Sequence, residues 1–287
     1  MTDKRDKAIA RLKRGAELAL DMYGRPLLLC YSGGKDSQVL LRLAVESGIE
    51  FEVQHSHTTV DAPETVRTVR ETFRRCEVEG ISAHINYPEL SMWQLIPKKL
   101  MPPSRLVRYC CDVLKEQHGR DRFIATGVRK QESRQRSSRG TLDVIAKRKE
   151  DRQAYGDEVF LSNDNGEKRR EFERCVPKGT MCVNPIIDWT DAEVWDYFTH
   201  ECEVKNPLYT EGYSRVGCIG CPMAGKGRYE QFARYPSYKR AYIRAFGKML
   251  EVRKAKGLNC STWEDGRDVF SWWMEEKVLP GQMELFG

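Results

Sequence analysis

The chain has 287 residues, of which 40% are hydrophobic and 31% charged, a composition typical of a folded domain rather than a disordered chain. Its formal net charge is +6, from 48 Lys and Arg against 42 Asp and Glu, which suits an anionic partner without requiring one. No apolar stretch approaches the roughly 18 residues of a membrane span, and "MTDKRDKAIARLKRG" lacks the apolar centre of a signal peptide, so we expect a cytoplasmic protein without a membrane partner.

Short β-prone runs alternate with helical segments in the first half of the chain. An amphipathic helix is predicted at 3–21, strands at 26–32, 51–57, 81–87 and 122–128, and helices near 36–47, 63–79 and 108–118. This alternation predicts an α/β fold with a doubly wound parallel sheet and helices on both of its faces.

The pattern changes after about residue 130. Residues 141–183 are polar and charged and predict an inserted hairpin or an excursion from the sheet. Thr190 and Glu193 form a capping-box signature for a helix at about 191–200, and further helices are predicted near 228–256 and 266–277. We expect an N-terminal helix at 1–25, a nucleotide-binding α/β domain at 26–225 and a helical C-terminal part at 226–287.

A glycine-rich turn, "YSGGKDS", follows the first predicted strand. It consists of Tyr31, Ser32, Gly33, Gly34, Lys35, Asp36 and Ser37. A turn of this kind at the start of a helix presents backbone N–H groups to phosphate oxygens. The spacing fits neither the G-x-x-x-x-G-K-[ST] nor the G-x-G-x-x-G pattern, so we predict a phosphate site of another type.

"SGGKDS" resembles the PP-loop of the adenine-nucleotide α-hydrolase superfamily, and more closely that of the phosphoadenosine phosphosulfate (PAPS) reductase-like family. Three further stretches agree: "GVRKQESR" is similar to the family's G-x-R-x-x-E-S-x-x-R, "NPIIDWT" (184–190) to its P-L-x-D-W-T, and "NPLY" (206–209) to its loop of that type. "HTTVDAPETVRTV" (57–69) stands where the family carries D-T-x-x-x-x-x-E-T. The resemblance covers about 26–225.

The resemblance implies a nucleotide site that also includes Gly127, Arg129, Glu132, Ser133 and Arg134. The ligand is expected to be ATP with Mg²⁺, or a sulphonucleotide such as PAPS or adenylylsulphate (APS). Lys35 and the loop amides are expected to hold phosphates, Asp36 to help place Mg²⁺, and Arg129 and Arg134 to act as a phosphate clamp; these four side chains are the catalytic candidates. The roles of Lys130, Arg136 and Arg139 stay open.

Ten cysteines in a chain without an export signal point to metal binding, redox chemistry or burial rather than to disulfides. Cys110 and Cys111 are adjacent, and Cys218 and Cys221 form a C-x-x-C, so that two pairs can offer four thiolates. The arrangement resembles the C-C…C-x-x-C of iron–sulphur APS reductases, which implies a [4Fe–4S] cluster in preference to zinc.

The remaining cysteines leave alternatives open. Cys175 and Cys182 are candidate competing ligands, and Cys30 lies on a predicted strand and is expected in the core. Three others have no partner pattern: Cys76, Cys202 and Cys260.

Sulphonucleotide reductases of the family carry a C-terminal Glu-Cys-Gly-(Leu/Ile)-His, and this sequence has no such motif and no cysteine after Cys260. We therefore favour ATP over PAPS or APS. A PP-loop combined with a cysteine-ligated cluster resembles the ATP-pyrophosphatase component of DNA phosphorothioation systems, which implies ATP cleavage to AMP and pyrophosphate, adenylylation of an acceptor and sulphur transfer. A reductase using another thiol and a non-catalytic nucleotide or redox sensor are the alternatives.

These readings imply a nucleotide substrate, a DNA or RNA acceptor and a sulphur-donor protein such as a cysteine desulphurase. The stretch "QMELF", Gln282–Phe286, resembles the Q-[LM]-x-L-F peptide with which bacterial proteins dock on the DNA sliding clamp. A hydrophobic tail that packs on the fold is an equal alternative for these five residues.

Overall fold

The computed structural model of the protein describes residues 2–115, 119, 121–145, 152–161 and 180–275. The chain divides into two compact units. Unit 1 comprises residues 1–56, 63–86 and 117–216, and unit 2 comprises residues 57–62, 87–116 and 217–287.

Unit 1 is built on a seven-stranded sheet in the order β3-β2-β1-β4-β7-β5-β6. Its strands are β1 (Leu27–Cys30), β2 (Phe51–Ser56), β3 (Ser82–Asn86), β4 (Phe123–Ala125), β5 (Leu142–Ile145), β6 (Gln153–Tyr155) and β7 (Thr180–Val183). Strands β3, β2, β1, β4 and β7 are parallel neighbours. Strand β5 runs antiparallel to both β7 and β6.

The helices of unit 1 connect and cover these strands. They are α1 (Thr2–Tyr23), α2 (Lys35–Ser47), α3 (Pro63–Val78), α6 (Arg134–Ser137), α7 (Asp157–Phe160) and α8 (Asp191–Glu201), with short 3₁₀ turns at Lys130–Glu132 and Pro207–Tyr209. The apolar face of α1 is buried, as its amphipathic pattern predicts, and Leu12 and Ala19 have no exposed surface.

The predicted α/β fold is confirmed, and the four strands of the first half lie inside their predicted ranges, with ends that differ by at most three residues. The antiparallel pair of β5 and β6 agrees with the inserted hairpin that was one alternative for residues 141–183. The pairing of β5 with β7, which joins both strands to the main sheet, was not predicted, because such short strands carry little periodic signal.

Helix α1 also anchors the segment that leads into α8. The buried guanidinium of Arg11 donates from Nη1 to the carbonyl of Pro185 at 2.8 Å and to Asp188 at 2.7 Å. Lys4 bonds Glu193 at 2.8 Å. Glu193 in turn accepts from the amide of Thr190 at 2.7 Å, which completes the predicted capping box.

Unit 2 is helical. It contains α4 (Met92–Lys99), α5 (Tyr109–Leu114), a 3₁₀ turn at Pro222–Ala224, α9 (Gly227–Arg234), α10 (Pro236–Ala255) and α11 (Gly266–Trp273). Helix α10 packs against α4 and α11 through an aromatic core that includes Tyr242 and Trp273, whose ring centroids lie 4.9 Å apart. Burial of such side chains contributes about 1.5–3 kcal/mol each. Among the helices of the described ranges, none is long and apolar enough to cross a bilayer.

Candidate nucleotide site and thiol cluster

The strand order of unit 1 reverses between β1 and β4, which pair through Leu28 with Ile124 and Leu29 with Ala125. Open α/β sheets bind ligands at the carboxyl ends of strands where the order reverses. The loop of residues 32–37, called the phosphate loop below, follows β1, and the segment 127–134 follows β4. Two motifs that are almost 100 residues apart in sequence therefore meet at one point of the sheet.

The phosphate loop is held open by its own hydroxyl groups. Ser37 Oγ donates to the carbonyl of Gly34 at 2.8 Å and accepts from the amide of Ser32 at 3.2 Å and from its hydroxyl at 3.1 Å. Gly33 has a φ of 76°, a conformation that side chains rarely adopt. Within the described residues, the N–H groups of Gly33 and Gly34 donate to no acceptor, so both are available to an anion at the start of α2.

The "NPLY" segment, which follows α8 in unit 1, supports the phosphate loop. The fully buried Asn206 donates from Nδ2 to the carbonyl of Gly33 at 3.2 Å and to Thr65 at 3.0 Å. The phenol of Tyr209 accepts from the amide of Lys35 at 2.8 Å. Burial raises the pKa of Tyr209 to about 12, so the phenol keeps its proton at neutral pH.

Two cations and two carboxylates form a closed arrangement beside the loop, called the ion-pair ring below: Lys35, Asp36, Arg129 and Asp191. Lys35 Nζ lies 3.2 Å from a carboxylate oxygen of Asp36 and 3.2 Å from one of Asp191. Arg129 donates from Nε to Asp36 at 2.6 Å and from Nη2 to Asp191 at 2.9 Å. Both cations are buried, with side-chain exposures of 7% and 4%, whereas the carboxylate of Asp191 is 53% exposed.

Arg129 has one nitrogen to spare. Its Nη1 is buried and has no hydrogen-bond partner in the described part of the chain. An unsatisfied N–H of a charged guanidinium is costly, about 1–3 kcal/mol or more, unless a ligand completes it. Arginine forks match phosphate oxygens, so this free nitrogen fits an incoming phosphate.

Asp191 and Trp195 belong to this site although the motifs do not mark them. Asp191 is the first residue of α8, and burial alone would raise its pKa, but the charges and hydrogen bonds of Lys35 and Arg129 hold that pKa below its ordinary value. The ring of Trp195, one turn later on α8, lies 5.5 Å from Lys35 Nζ. The position of Asp191 directly after the capping residue Thr190 was the only available signal.

Further arginines extend the positive charge along 127–139. Glu132 pairs with Arg136, and counting the motif G-x-R-x-x-E-S-x-x-R from Gly127 places its last arginine at Arg136. Burial, followed by the charges of Arg215 and Arg139, lowers the pKa of Arg136. Ser133 begins α6, and Arg134 is exposed there with no ion pair among the described residues; its role stays a prediction.

Two other predicted residues, Tyr31 and Gly127, pack against the phosphate loop. Tyr31 is buried, and its phenol shares a hydrogen bond with Thr72 at 3.1 Å. A Cβ at Gly127 would stand 2.8 Å from the carbonyl oxygen of Asp36, so a glycine is needed for the two loops to approach.

The four predicted cluster ligands, Cys110, Cys111, Cys218 and Cys221, all lie in unit 2 and are called the thiol cluster below. Cys110 and Cys111 lie on α5, and Cys218 and Cys221 border the turn that leads into the 3₁₀ segment Pro222–Ala224. A hydrogen bond to Cys111, then burial, then the charges of Cys111, Cys218 and Cys221 raise the pKa of Cys110, so the four sulphurs are electrostatic neighbours.

The C-x-x-C turn is tightly held. The amide of Cys221 donates to the carbonyl of Cys218 at 3.3 Å, and that of Ile219 donates to the carbonyl of Val60 at 2.8 Å. The buried phenol of Tyr242 donates to the carbonyl of Ile219 at 3.0 Å. The turn is therefore held by backbone hydrogen bonds and by the core of unit 2.

The donor set fits an iron–sulphur cluster. The four thiols share one site. The negative charge of the Cys218 thiolate is the largest cause that raises the pKa of the neighbouring Lys115, so Lys115 supplies a cation close to the thiolates. Adjacent cysteines such as Cys110 and Cys111 suit ligands on different irons of a cluster better than two ligands of one tetrahedral zinc ion.

Four of the other described cysteines have raised pKa values. Cys30 is half-buried and Cys182 is buried in the sheet, and the loss of solvent around each thiol raises their pKa to about 11 and about 12. Burial likewise raises the pKa of Cys76 to about 11 and of Cys202 to about 12. Cys182, the candidate competing ligand, belongs to unit 1 and not to the unit of the thiol cluster. Cys175 lies outside the described residues, as does Gln282–Phe286.

A family model described as "Phosphoadenosine phosphosulfate reductase domain" matches residues 26–224. The chain belongs to this family. The matched region includes the phosphate loop, the segment after β4 and all four residues of the thiol cluster.

Relatives within and beyond the PAPS reductase family are distant. An uncharacterized protein of Methanocaldococcus jannaschii, MJ0066, is 25% identical over 220 residues, 73% of this chain and 39% of its own length. Adenosine 5'-phosphosulfate reductase of Allochromatium vinosum is 40% identical over 55 residues, 19% of this chain and 21% of its own. The chain thus spans well under two thirds of either curated relative.

A comparison with solved structures finds a likeness to the U34-tRNA thiolase NcsA from Methanococcus maripaludis with its [4Fe-4S] cluster, at 17% identity and a TM-score of 0.42, covering 89% of this chain and 84% of that one. Named members of the PAPS reductase family are enzymes. The family model and the phosphate loop both indicate nucleotide binding.

Proposed function

We propose that this chain is a PP-loop ATP pyrophosphatase that cleaves ATP to AMP and pyrophosphate, adenylylates an acceptor oxygen and prepares it for sulphur transfer, with a nucleic acid as the acceptor. The ion-pair ring is the observation that carries this proposal. The two buried cations Lys35 and Arg129 lie beside the phosphate loop. Each of them pairs with the carboxylates of Asp36 and Asp191, which belong to the same site.

Such a ring suits a triphosphate because its contacts can be exchanged. A phosphate chain that enters the loop competes with Asp191 for Lys35 and Arg129, and the half-exposed Asp191 can turn to solvent at little cost. The spare Arg129 Nη1 then gains an acceptor. Asp36 would hold the magnesium ion of ATP·Mg²⁺, which neutralises phosphate charge when bound.

The reaction would proceed by displacement at the α-phosphorus. The acceptor oxygen forms a bond to that phosphorus while the bond to the bridging oxygen of the β-phosphate breaks, and pyrophosphate leaves with the electron pair. Lys35, Arg129 and the amides of Gly33 and Gly34 would neutralise the charge that grows on the leaving group. Preorganised cations and amides of this kind contribute about 3–4 kcal/mol each to a transition state.

The sulphur-transfer part of the proposal rests on the thiol cluster. Cys110, Cys111, Cys218 and Cys221 would hold a [4Fe–4S] cluster, which would supply electron-transfer chemistry when bound. The sulphur nucleophile would displace AMP from the adenylylated position, so the new bond to sulphur replaces the bond to oxygen. A sulphur-donor protein such as a cysteine desulphurase is the expected source.

Sulphonucleotide reduction is supported less well. That reaction needs an accessible thiolate to attack sulphur. Four of the five described cysteines outside the thiol cluster, Cys30, Cys76, Cys182 and Cys202, have pKa values raised by loss of solvent, which leaves the half-buried Cys260 as the remaining candidate in the described ranges. A thiol kept protonated by burial is a weak nucleophile.

The test is a product analysis with three substrates. The protein is incubated separately with ATP·Mg²⁺, APS and PAPS, and pyrophosphate, AMP and sulphite are measured. We expect pyrophosphate and AMP from ATP and no sulphite. Sulphite release from APS or PAPS would replace this proposal by the reductase, and pyrophosphate release unchanged in Lys35→Ala would remove the phosphate loop from its role.

A further inference from the structure

Helix α10 of unit 2 has an exposed basic face that the proposed chemistry does not use. Four cations of the helix, Arg240, Arg244, Lys248 and Lys254, are exposed. None of them forms a hydrogen bond or an ion pair with another residue in the described ranges. These four residues are called the basic face below.

The geometry of an α-helix places the four residues together. At about 100° per residue they fall within an arc of roughly 120°, centred opposite the buried face of the same helix. That buried face carries Tyr242, Phe246 and Met249, each with an exposure of at most 1%. The core contacts of α10 therefore fix which side faces outward, and the basic face is held in one orientation on a rigid 20-residue helix.

The charge of α10 is one-sided. Its sequence, PSYKRAYIRAFGKMLEVRKA, contains six Lys and Arg and a single acid, Glu251. Helix α3 of unit 1 provides a comparison, because its sequence PETVRTVRETFRRCEV has four arginines balanced by three glutamates. The three glutamates of α3 offset most of its positive charge, whereas the cations of α10 repel one another with a single acid on the helix to offset them.

We propose that the basic face binds the sugar–phosphate backbone of the nucleic acid that serves as acceptor, and this inference rests on the proposed function. From Arg240 to Lys254 the helix rises about 21 Å, which corresponds to about six base-pair steps of a duplex. Backbone phosphates are the partner that a helix face with four exposed Arg and Lys and the single acid Glu251 fits best, because Arg and Lys are the main phosphate-contacting side chains.

This partner makes a quantitative prediction. Each Lys or Arg that neutralises a backbone phosphate releases condensed counterions, and the slope of log K against log salt is about −0.9 per phosphate for duplex DNA. Replacing Arg240, Arg244 and Lys248 by Gln removes three such contacts. The slope should therefore become shallower by about 3, with weaker binding to every sequence tested.

The experiment measures binding of full-length wild type and Arg240→Gln/Arg244→Gln/Lys248→Gln by fluorescence anisotropy between about 50 and 200 mM salt. The probes are a duplex DNA of about three helical turns and total tRNA in separate arms. The matched control is Arg67→Gln/Arg70→Gln/Arg74→Gln, which removes three exposed, unpaired arginines from α3. Circular dichroism checks that each variant is folded.

We expect the α10 variant to lose affinity and slope for at least one of the two nucleic acids and the α3 control to match wild type. Equal losses of affinity in both variants would show that positive charge anywhere on the surface suffices, which would overturn the proposal. Failure of the wild-type protein to bind either nucleic acid would overturn it as well, and so would binding of anionic vesicles, tested in the same assay, without binding of nucleic acid. Pyrophosphate release from ATP in the absence of nucleic acid is measured in parallel. If that activity is missing while binding follows the prediction, the proposed function fails and the basic face stands.

Discussion

Arg129→Lys tests whether the ion-pair ring needs the arginine fork or only its charge. The wild-type guanidinium bonds Asp36 at 2.6 Å and Asp191 at 2.9 Å through two different nitrogens and keeps a third buried and unpartnered. A lysine carries the same charge on a single nitrogen and cannot reach both carboxylates and a phosphate at once.

The expected cost follows from these contacts. A hydrogen bond to a charged group contributes about 1.5–3 kcal/mol, so the loss of one of the two carboxylate contacts should lower the free energy of unfolding by about that amount. If the third nitrogen contacts phosphate, ATP affinity should fall by a similar free energy, which is about 10- to 150-fold. Urea unfolding and calorimetric titration with ATP·Mg²⁺ measure the two effects.

Arg134→Lys is the matched control for stability, because Arg134 lies in the same motif but is exposed and has no ion pair within the described ranges. Its unfolding free energy should stay within about 0.5 kcal/mol of wild type. The reasoning is refuted if Arg129→Lys unfolds and binds ATP like wild type, or if the two variants lose stability equally.

Three more predictions concern other parts of the molecule. Lys35→Ala should lower the rate of pyrophosphate release from ATP by about 10²-fold or more, and a change of less than about threefold in an enzyme-coupled assay would count against the role of Lys35. Cys218→Ser should abolish the visible absorbance and labile sulphide of anaerobically reconstituted protein, whereas Cys260→Ser, which changes a cysteine outside the thiol cluster, should keep both; equal iron content in the two variants would contradict the cluster assignment. Glu193→Gln should destabilise the protein by about 1 kcal/mol at pH 7, a value reduced for partial exposure. Hydrogen bonds from Lys4 and Thr190 lower the pKa of Glu193 to about 2 from 4.5. The stabilisation by Glu193 is therefore complete above pH 4.5 and disappears as the pH falls towards 2. A difference in unfolding free energy between wild type and variant that does not change with pH in urea unfolding would be inconsistent with this.

The sequence predicted the parts of the site that follow buried strands. The apolar runs before Ser32 and before Gly127 predict two strands, and the glycines that follow predict turns at their ends. In an α/β fold the carboxyl ends of neighbouring parallel strands lie together, so the phosphate loop was expected to meet Arg129 there. The capping box at Thr190 was visible for the same reason, because it is a local pattern of two residues.

The sequence could not predict the residues that complete the site from a distance. Asp191 and Trp195 reach the phosphate loop from α8, and neither stands in a spacing that identifies a phosphate site. The pairing of β5 with β7 was missed for a different reason, because short strands in a polar stretch resemble loops in sequence.

The attack at the α-phosphorus of ATP is the central claim and can be measured by isotope. ATP·Mg²⁺ is turned over in H₂¹⁸O without an added acceptor, so that water takes the place of the acceptor oxygen, and AMP and pyrophosphate are analysed by mass spectrometry. Attack at the α-phosphorus predicts ¹⁸O in AMP and none in pyrophosphate. Label in pyrophosphate, or release of labelled orthophosphate and ADP, would contradict the account.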